Sequence, residues 1–483
     1  MTPYEWQKED PDFNVKEWVN LDFDSIEAAE MSRHFLILGE TGSGKTKSAI
    51  IPIMNSIANY QVNGKRPSAL VIDPKNELYE RIKHLPFVID FVTSVSKNGK
   101  TINFFEGVST NLSSDTIKTS ILQLFPKAVD PKDIFWRIQQ DLCIRSFIDI
   151  DNAIFQKEGI AEVKKFWNHF TLDCNNRLNS FEEDAISGVY GKEGTGVYKT
   201  ALQTAVICAG YSSNNYFLRF NFLINDPFAL ELFLIFWAQK ESDVLERESY
   251  RVLQQLVNWS KKSHGQFSGV VGFVSNVFSN LCDHEILASV NFNPYEEPYN
   301  CLSIKKFMDS GNWLVYSPDG NSDVGDLIAR IIKTKFFEFT FSRDEKERPF
   351  AYICDEFQRF ITSDKRGGEQ SYLDRCRAFR AICVLASQSL ASLAYTLKTN
   401  GEGQDLSDSS LKIILNNTGN KFFFRNTDID TISTLQGLIP LPYKERRPHV
   451  IGVRPTSTLA PGECYYLLSN GNWGRAKVDI SKQ

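Results

Sequence analysis

The sequence has no excess of positive charge and no paired-cysteine motif. Its 54 lysine and arginine residues and 59 acidic residues give a net charge of −5, so no global positive field favours nucleic acid, and any such binding must use a local basic lining. Its nine cysteines contain no C-x-x-C pair. This pattern argues against a disulfide framework or a zinc site and indicates reduced, cytosolic thiols.

Long apolar runs are also lacking. The best is FALELFLIFWA at 228–238, eleven residues that include Glu231, whereas a membrane-spanning helix needs about 20 apolar residues. We interpret this run as a buried helix. The first thirty residues are polar and acidic, which argues against a signal peptide. The sequence therefore predicts a cytoplasmic chain without a transmembrane segment, and any membrane association would come through a partner.

The order of apolar segments predicts an α/β fold. After a lead-in segment, 1–30, we expect strands at 34–38, 68–73 and 86–92, with a helix at 46–60 between the first two. This order favours a parallel sheet with helical crossovers. Apolar residues then recur at three- and four-residue spacing, which predicts an all-α insertion. The expected parts are 31–111 and 298–483 for the α/β domain and 112–297 for the insertion.

A glycine-rich segment follows the first predicted strand and fits the pattern G-x-x-x-x-G-K-[ST] without a gap. Its residues are Gly39, Glu40, Thr41, Gly42, Ser43, Gly44, Lys45 and Thr46. Glycines let successive backbone N–H groups turn toward phosphate oxygens, and the following helix adds its positive end. Lys45 is expected to reach the β- and γ-phosphates and Thr46 to ligate Mg²⁺. The segment predicts an ATP site, and hence a P-loop ATPase domain.

Two predicted strands end in aspartate, Asp73 in ALVIDPKNE and Asp355 in AYICDEF. Hydrolysis requires one carboxylate for the metal and one base for the attacking water. Only Asp355 is followed by a second carboxylate, so we assign the Mg²⁺ role to Asp355 and the base role to Glu356. Asp73 becomes an auxiliary polar residue at a neighbouring strand end, where α/β sheets collect their ligands.

A further predicted strand, 381–387, is followed by Gln388 and preceded by Arg375, Arg377 and Arg380. An amide at Gln388 can hydrogen-bond both the γ-phosphate and the attacking water, and a polar cap of the strand is the alternative. Three arginines usually form a solvated basic face. One of them can instead act as an arginine finger on a neighbouring subunit.

In this order, the motifs resemble those of the type IV secretion coupling proteins of the TraG/TraD group, ring ATPases related to the FtsK/HerA translocases. The matching segments cover about 30–480. They are GETGSGKT (39–46), SAIIPIM (48–54), DPKNE (73–77, with Asn76 for the family's glycine), LVYSP (314–318), CDEF (354–357), ASQS (386–389) and PGECYYLLSNG (461–471). Asn76 suits a left-handed backbone, which Asn tolerates.

The resemblance implies a RecA-like ATPase that forms a hexameric ring and moves single-stranded DNA with its relaxase, or a protein effector, toward the inner-membrane components of a secretion channel. It implies that Arg377 is the arginine finger and Gln388 the hydrolysis-sensing glutamine. Typical members begin with membrane-spanning helices, and no such segment is expected in this sequence.

Two other functions stay open from the sequence. One is a soluble FtsK/HerA-like DNA translocase in mobile-element maintenance or defence, and the other is a nucleotide-dependent adaptor for secretion substrates. Three basic stretches are candidates for DNA contact, although solvated surface loops are the more common interpretation of such stretches: 260–266, 363–368 and 443–449.

Overall fold

The computed structural model describes about seven tenths of the chain. The described residues are 28–90, 99–103, 106, 134–158, 160–180, 196–206, 216–241, 243–282, 290–291, 300–318, 323–342, 348–362, 368–399, 404–439 and 456–477. Most of the lead-in segment, the start of the expected all-α insertion (112–133) and the basic stretch 443–449 lie outside these residues. The chain divides into two compact units, one made of 1–100 and 304–483 and the other of 101–303.

Twelve strands occur in the described residues, in two sheets. They are β1 (Phe35–Leu38), β2 (Ser68–Ile72), β3 (Val88–Asp90), β4 (Thr101–Asn103), β5 (Val290–Asn291), β6 (Cys301–Leu302), β7 (Trp313–Tyr316), β8 (Phe350–Cys354), β9 (Ala381–Ser387), β10 (Asn420–Phe423), β11 (Glu463–Leu467) and β12 (Trp473–Lys477). Nine of these form one sheet in the order β12-β11-β10-β1-β9-β8-β2-β7-β3.

All pairs of neighbouring strands in the nine-stranded sheet are parallel except at one edge, where β11 pairs antiparallel with both β10 and β12. Strands β1, β2, β8 and β9 are buried at every position, as continuous apolar runs in a parallel sheet require, because helices cover both faces. The sheet confirms the predicted α/β class and the expected strands in this unit. The pair β11 and β12 caps the parallel part with a hairpin.

Helices of the first unit connect the strands of the nine-stranded sheet, and one short helix precedes β1. Their bounds are Ala28–Met31, Ile51–Asn59, Glu77–Ile82, Ile304–Met308, Asp323–Ser342, Phe357–Phe360, Glu369–Cys376, Leu390–Thr399, Gln404–Asn417 and Ile429–Leu438. The predicted helix at 46–60 begins with a π-helical turn, Thr46–Ile50, and becomes α-helical at Ile51. Its residues Ile53, Met54 and Ile57 pack into the main core beneath the sheet.

The second unit is mainly helical. Its α-helices are Ile134–Glu158, Ile160–Asn179, 196–206, Tyr216–Asn225, Pro227–Lys240, Glu248–Lys262 and His264–Leu281. Aromatic side chains fill its core: Trp167 stacks on Phe233 with ring centroids 5.0 Å apart, and the buried guanidinium of Arg219 lies 4.0 Å from the Trp167 ring. This unit also contains a small parallel sheet, β5-β4-β6. Only β5 lies within the expected insertion, 112–297, whereas β4 and β6 lie in segments assigned to the α/β domain. None of the three was predicted as a strand, because two- and three-residue strands carry too short a pattern to detect.

The apolar run at 228–238 lies within the helix Pro227–Lys240, which starts at an Asp226 N-cap. Phe233 and Trp237 are fully buried, and Glu231 accepts an ion pair from Lys261 at 2.6 Å. The run is therefore a core helix, as predicted. Within the described residues, no single helix has both the length and the apolar composition to cross a membrane, and one pair bent by 110°, Leu218–Asn225 with Pro227–Lys240, passes by length and composition alone.

Candidate nucleotide site

The G-x-x-x-x-G-K-T segment forms a turn at the carboxyl end of β1. Its start is tied to both neighbouring strands, because the Gly39 N–H donates to the Ser387 carbonyl at 3.2 Å and the Glu40 N–H donates to the Arg425 carbonyl at 2.9 Å. The N–H of Ser48 donates to the Gly44 carbonyl at 2.8 Å and begins the following helix. The turn therefore has the strand-before and helix-after context that a phosphate-binding loop requires.

Two glycines of this turn have left-handed backbones, Gly42 at φ 76° and Gly44 at φ 96°. At Gly44 a side chain is excluded twice, since a Cβ would also lie 2.6 Å from the backbone nitrogen of Gly462. That nitrogen donates to the Ser43 carbonyl at 3.0 Å. The turn before β11 therefore packs directly on the phosphate loop, which gives a structural role to the PGE segment.

Lys45 is folded back onto its own loop. Its Nζ donates to the Gly39 carbonyl at 2.5 Å and to the Glu40 carbonyl at 3.1 Å. Burial lowers the pKa of Lys45, and the nearby charges of Asp355 and Glu356 oppose that shift without reversing it. The ammonium is thus held by neutral carbonyls at the position where a phosphate group would supply negative charge.

The acid pair lies at the carboxyl end of β8. Asp355 is buried, and its Oδ1 accepts the Glu356 N–H at 2.9 Å, whereas its Oδ2 has no hydrogen-bond partner. Burial, together with the charge of Glu356, raises the pKa of Asp355. A buried carboxylate oxygen without a donor is costly, so this atom is suited to a cation or to the water bound to one.

Glu356 accepts hydrogen bonds on both carboxylate oxygens. Lys75 forms an ion pair with Oε1, while Gln388 and Gln358 donate to Oε2 at 3.0 and 2.5 Å. Burial alone would raise the pKa of Glu356, but the hydrogen bond and charge of Lys75, with the two amides, outweigh it and lower the pKa. Three strand ends, those of β2, β8 and β9, therefore meet at one ionised carboxylate.

Asp73 follows β2 and is fully buried. Its Oδ2 accepts the Tyr79 N–H at 2.8 Å, and its Oδ1 has no partner. Burial raises the pKa of Asp73 to about 6, and the Tyr79 N–H only partly opposes it. The next turn contains Asn76 at φ 56°, the left-handed conformation that the sequence led us to expect at this position.

Arg377 lies far from this group. It is exposed in the short helix Arg377–Phe379, which precedes the first residue of β9. The phosphate loop lies at the other end of this strand, because Gly39 is hydrogen-bonded to Ser387, the last residue of β9. Seven strand residues at about 3.3 Å each separate the two edges by about 23 Å. Within one chain, therefore, the structure brings Gln388 to the acid pair and does not bring Arg377.

A second cluster of chemically active side chains lies at the amino ends of the parallel strands, which we call the amino edge of the sheet; the opposite ends form its carboxyl edge. In this cluster the donor atoms of His34, Cys376 and Cys383 are all within 4.8 Å of one another. The Cys383 N–H donates to His34 Nδ1 at 3.2 Å, so the neutral ring carries its proton on Nε2. That nitrogen lies 3.5 Å from Cys376 Sγ. Histidine that ligates a metal usually donates from its other nitrogen, so this cluster fits a hydrogen-bonded group and does not fit a metal site.

Sequence reasoning missed three contributors to the site. Lys75 was overlooked although it stands in DPKNE, two residues after Asp73. Thr427 donates from its N–H and its hydroxyl to Glu40 Oε1 at 2.8 and 2.6 Å, and Asn426 donates to the Gln388 carbonyl at 2.7 Å. Lys75 was detectable as a polar residue after a buried strand. The other two were not, because a loop after β10 carries no sequence signal of its neighbour.

Of the basic stretches, 260–266 lies in the second unit, where Lys261 is paired with Glu231. The stretch 443–449 and residues 363–367 lie outside the described residues.

Comparison with known proteins shows the fold. A family model described as DEAD/DEAH box helicase matches residues 23–124, which include β1, the phosphate loop and β2 but not the acid pair. No curated protein matches this sequence.

Among solved structures, the unbound bacterial conjugative coupling protein TrwB matches at 12% identity and a TM-score of 0.50, over 93% of this chain and 86% of that one. TrwB in complex with ADP and Mg²⁺ matches at 12% and 0.51, over 99% and 93%. VirB4 of Thermoanaerobacter pseudethanolicus matches at 12% and 0.50, over 96% and 94%. The chain therefore has the P-loop fold of coupling proteins and VirB4, as its motifs predict.

Proposed function

We propose that the protein is a Mg²⁺-dependent ATPase that drives single-stranded DNA, or a protein substrate, toward a type IV secretion channel. The observation that supports this most is the group of polar side chains at one edge of the sheet. Lys45, Asp355, Glu356 and Gln388 come from three adjacent strand ends, and the last two are hydrogen-bonded at 3.0 Å. A phosphate loop, a buried acid pair and a polar amide are the parts that hydrolysis of a triphosphate needs.

The residues present fit Mg²⁺. Asp355 offers a buried oxygen without a donor, and Thr46 lies at the loop position whose hydroxyl ligates the ion in this motif. Bound Mg²⁺ would neutralise charge on the phosphate oxygens. TrwB, whose fold the chain shares, is known in complex with ADP and Mg²⁺.

The chain's own residues then have distinct roles. Lys45 leaves the carbonyls of its loop to bind the β- and γ-phosphates. Glu356, ionised and held on both oxygens, accepts the proton of the attacking water, and Gln388 orients that water while it remains bonded to Glu356. The remaining loop residues and Asp73 line the nucleotide site.

Arg377 completes the site only from another copy, because it lies at the opposite sheet edge of its own chain. We therefore propose a homo-oligomeric ring, hexameric by analogy with the coupling proteins, in which Arg377 faces the phosphates bound to the neighbouring subunit. Arginine fingers of this kind are worth roughly 10³–10⁵ in rate. The relaxase or effector, and the inner-membrane components of the channel, are the proposed partners.

ATP hydrolysis measured with and without single-stranded DNA tests the proposal, with electron microscopy of the same samples in a non-hydrolysable ATP analogue. We expect hydrolysis that DNA accelerates, ring-shaped particles, and no hydrolysis by Lys45→Ala. Glu356→Gln should still bind ATP and lose hydrolysis by about 10²–10⁴-fold, the usual contribution of a general base.

A wild-type protein that does not hydrolyse ATP contradicts the proposal. Hydrolysis that DNA leaves unchanged favours the adaptor function over DNA translocation. Capture of a relaxase or of channel proteins from cells separates the coupling function from that of a soluble FtsK/HerA-like translocase, for which neither should be recovered.

A further inference from the structure

Lys75 is the one cation in direct contact with the proposed base within the described residues. It forms an ion pair with Glu356 Oε1, across 281 residues of sequence. The side chain of Glu356 is 6% exposed and that of Lys75 36%, so the ammonium reaches from half-exposed surroundings to a buried carboxylate. The opposite oxygen is held by Gln388.

The backbone around Lys75 is held by its neighbours. The Asn76 N–H donates to the Asp73 carbonyl at 3.1 Å, and the left-handed Asn76 then turns the chain into the helix Glu77–Ile82. The side chain of Asp73 accepts the Tyr79 N–H at 2.8 Å. Asp73, which precedes Pro74, and the first turn of the helix Glu77–Ile82 are therefore both hydrogen-bonded. Lys75 projects from a strand-to-helix turn whose backbone is held on both sides.

The backbone conformation of Glu356 determines which charged groups its carboxylate faces. Glu356 has φ 49° and ψ 42° directly after β8, a left-handed conformation that non-glycine residues rarely adopt. It sends the carboxylate away from its own strand, where the charged groups facing it are Lys75 from the β2 turn, Lys45 from the phosphate loop and Asp355 from β8. Of the two lysines, Lys45 is engaged by its own loop carbonyls, which leaves Lys75 as the direct partner.

We propose that Lys75 is a positioning residue for hydrolysis, which holds one oxygen of Glu356 while Gln388 holds the other, so that the carboxylate meets the attacking water in one orientation. This inference rests on the proposed ATPase function. It assigns to the lysine of DPKNE a role in the chemical step and none in holding the nucleotide, which Lys45 and the loop N–H groups bind.

Steady-state ATP hydrolysis by Lys75→Met, Lys75→Arg and the wild type tests this role, together with ADP affinity by calorimetry. Methionine keeps the length of the side chain and removes the charge. We expect Lys75→Met to lower kcat by about 10- to 100-fold with KM and ADP affinity within about threefold of wild type, and Lys75→Arg to recover most of kcat. Lys83→Met is the matched control, because Lys83 pairs with Glu80 at the surface and should change nothing.

The outcomes are distinct. A wild-type kcat in Lys75→Met overturns the inference, as does a higher kcat, which would mean that the ion pair restrains the base. An equal loss of ADP affinity and of kcat/KM also overturns it, because Lys75 would then bind the phosphates. Absence of hydrolysis in the wild type overturns the proposed function and this inference with it, whereas the other failures leave the ATPase function intact.

Discussion

The carboxyl and amino edges of the nine-stranded sheet both contain buried polar side chains, and they differ in how those side chains are hydrogen-bonded. At the carboxyl edge, buried polar atoms lack partners: Ser43 Oγ, Asp73 Oδ1 and Asp355 Oδ2. At the amino edge, His34 uses both ring nitrogens, toward the Cys383 N–H and the Cys376 thiol. Buried polar atoms without partners are costly in isolation. The three at the carboxyl edge belong to the phosphate loop and to the residues after β2 and β8, which suits a ligand, whereas the His34 cluster is hydrogen-bonded within the fold.

Backbone strain does not distinguish the edges. Left-handed residues occur at both, Asn76 and Glu356 after strands and His34 and Arg380 before them. Each allows a sharp change of direction where a strand meets a turn. A left-handed residue therefore indicates a tight turn and is not by itself evidence of a site.

Among changes at the amino edge, replacing Arg377 should give the largest effect, because it is the residue there to which the proposal assigns chemistry. Arg377→Ala should lower kcat of the assembled protein by about 10³-fold and leave ATP binding intact, as measured by steady-state assays and calorimetry. The control is Arg375→Ala, since Arg375 is exposed nearby and donates to Ser371.

Mixing Arg377→Ala with Lys45→Ala protein then tests action between subunits. A Lys45→Ala subunit still supplies Arg377 to the intact phosphate loop of its neighbour, so part of the turnover should return. No recovery at any ratio would argue against the arginine finger.

His34→Ala should lower the stability of the protein without changing its affinity for ATP, which would support the contrast between the two edges. The change leaves the buried Cys383 N–H without its acceptor and puts alanine at φ 60°, a conformation that histidine adopts more readily. The free energy of unfolding should therefore fall by about 3 kcal/mol. Urea denaturation measures this loss, and ATP affinity of the folded variant should stay within twofold of wild type. A strong loss of nucleotide affinity without loss of stability would make the amino edge functional.

Asp73→Asn should have a smaller, pH-dependent effect at the carboxyl edge. The folded pKa of Asp73 is about 6 against 3.8 for the free side chain, so the folded protein binds the proton more tightly. Its contribution to stability is present below pH 3.8 and is lost as the pH rises through about 6. The variant lacks this loss and should be more stable than wild type at pH 7 by no more than about 3 kcal/mol, the most that this difference in pKa allows.

Urea denaturation without nucleotide, at pH 5 and pH 7, measures the Asp73→Asn effect. A difference between variant and wild type that does not change with pH would show that Asp73 does not titrate in this window.

Much of the fold was readable from the sequence because its strands are continuous apolar runs bounded by glycine, proline or carboxylate. Strand β9 was predicted at its observed bounds, 381–387. Strands β4, β5 and β6 were not predicted, because pairs or triplets of residues have no measurable periodicity. In the site, the phosphate loop was readable from consecutive residues, whereas the contact of Gly462 with Gly44 joins segments 418 positions apart and had no local signal.

The sequence by itself determined the local chemistry: a loop able to surround phosphates, an acid pair after a strand, and an amide after another, since each depends on neighbouring residues and on backbone preferences. The tertiary structure alone decided which of these meet. The parallel order β1-β9-β8-β2 brings Gln388, Glu356 and Lys75 to one edge and leaves Arg377 at the other. The reason is geometric, because strand order and direction determine distances between residues that the chain itself separates by hundreds of positions.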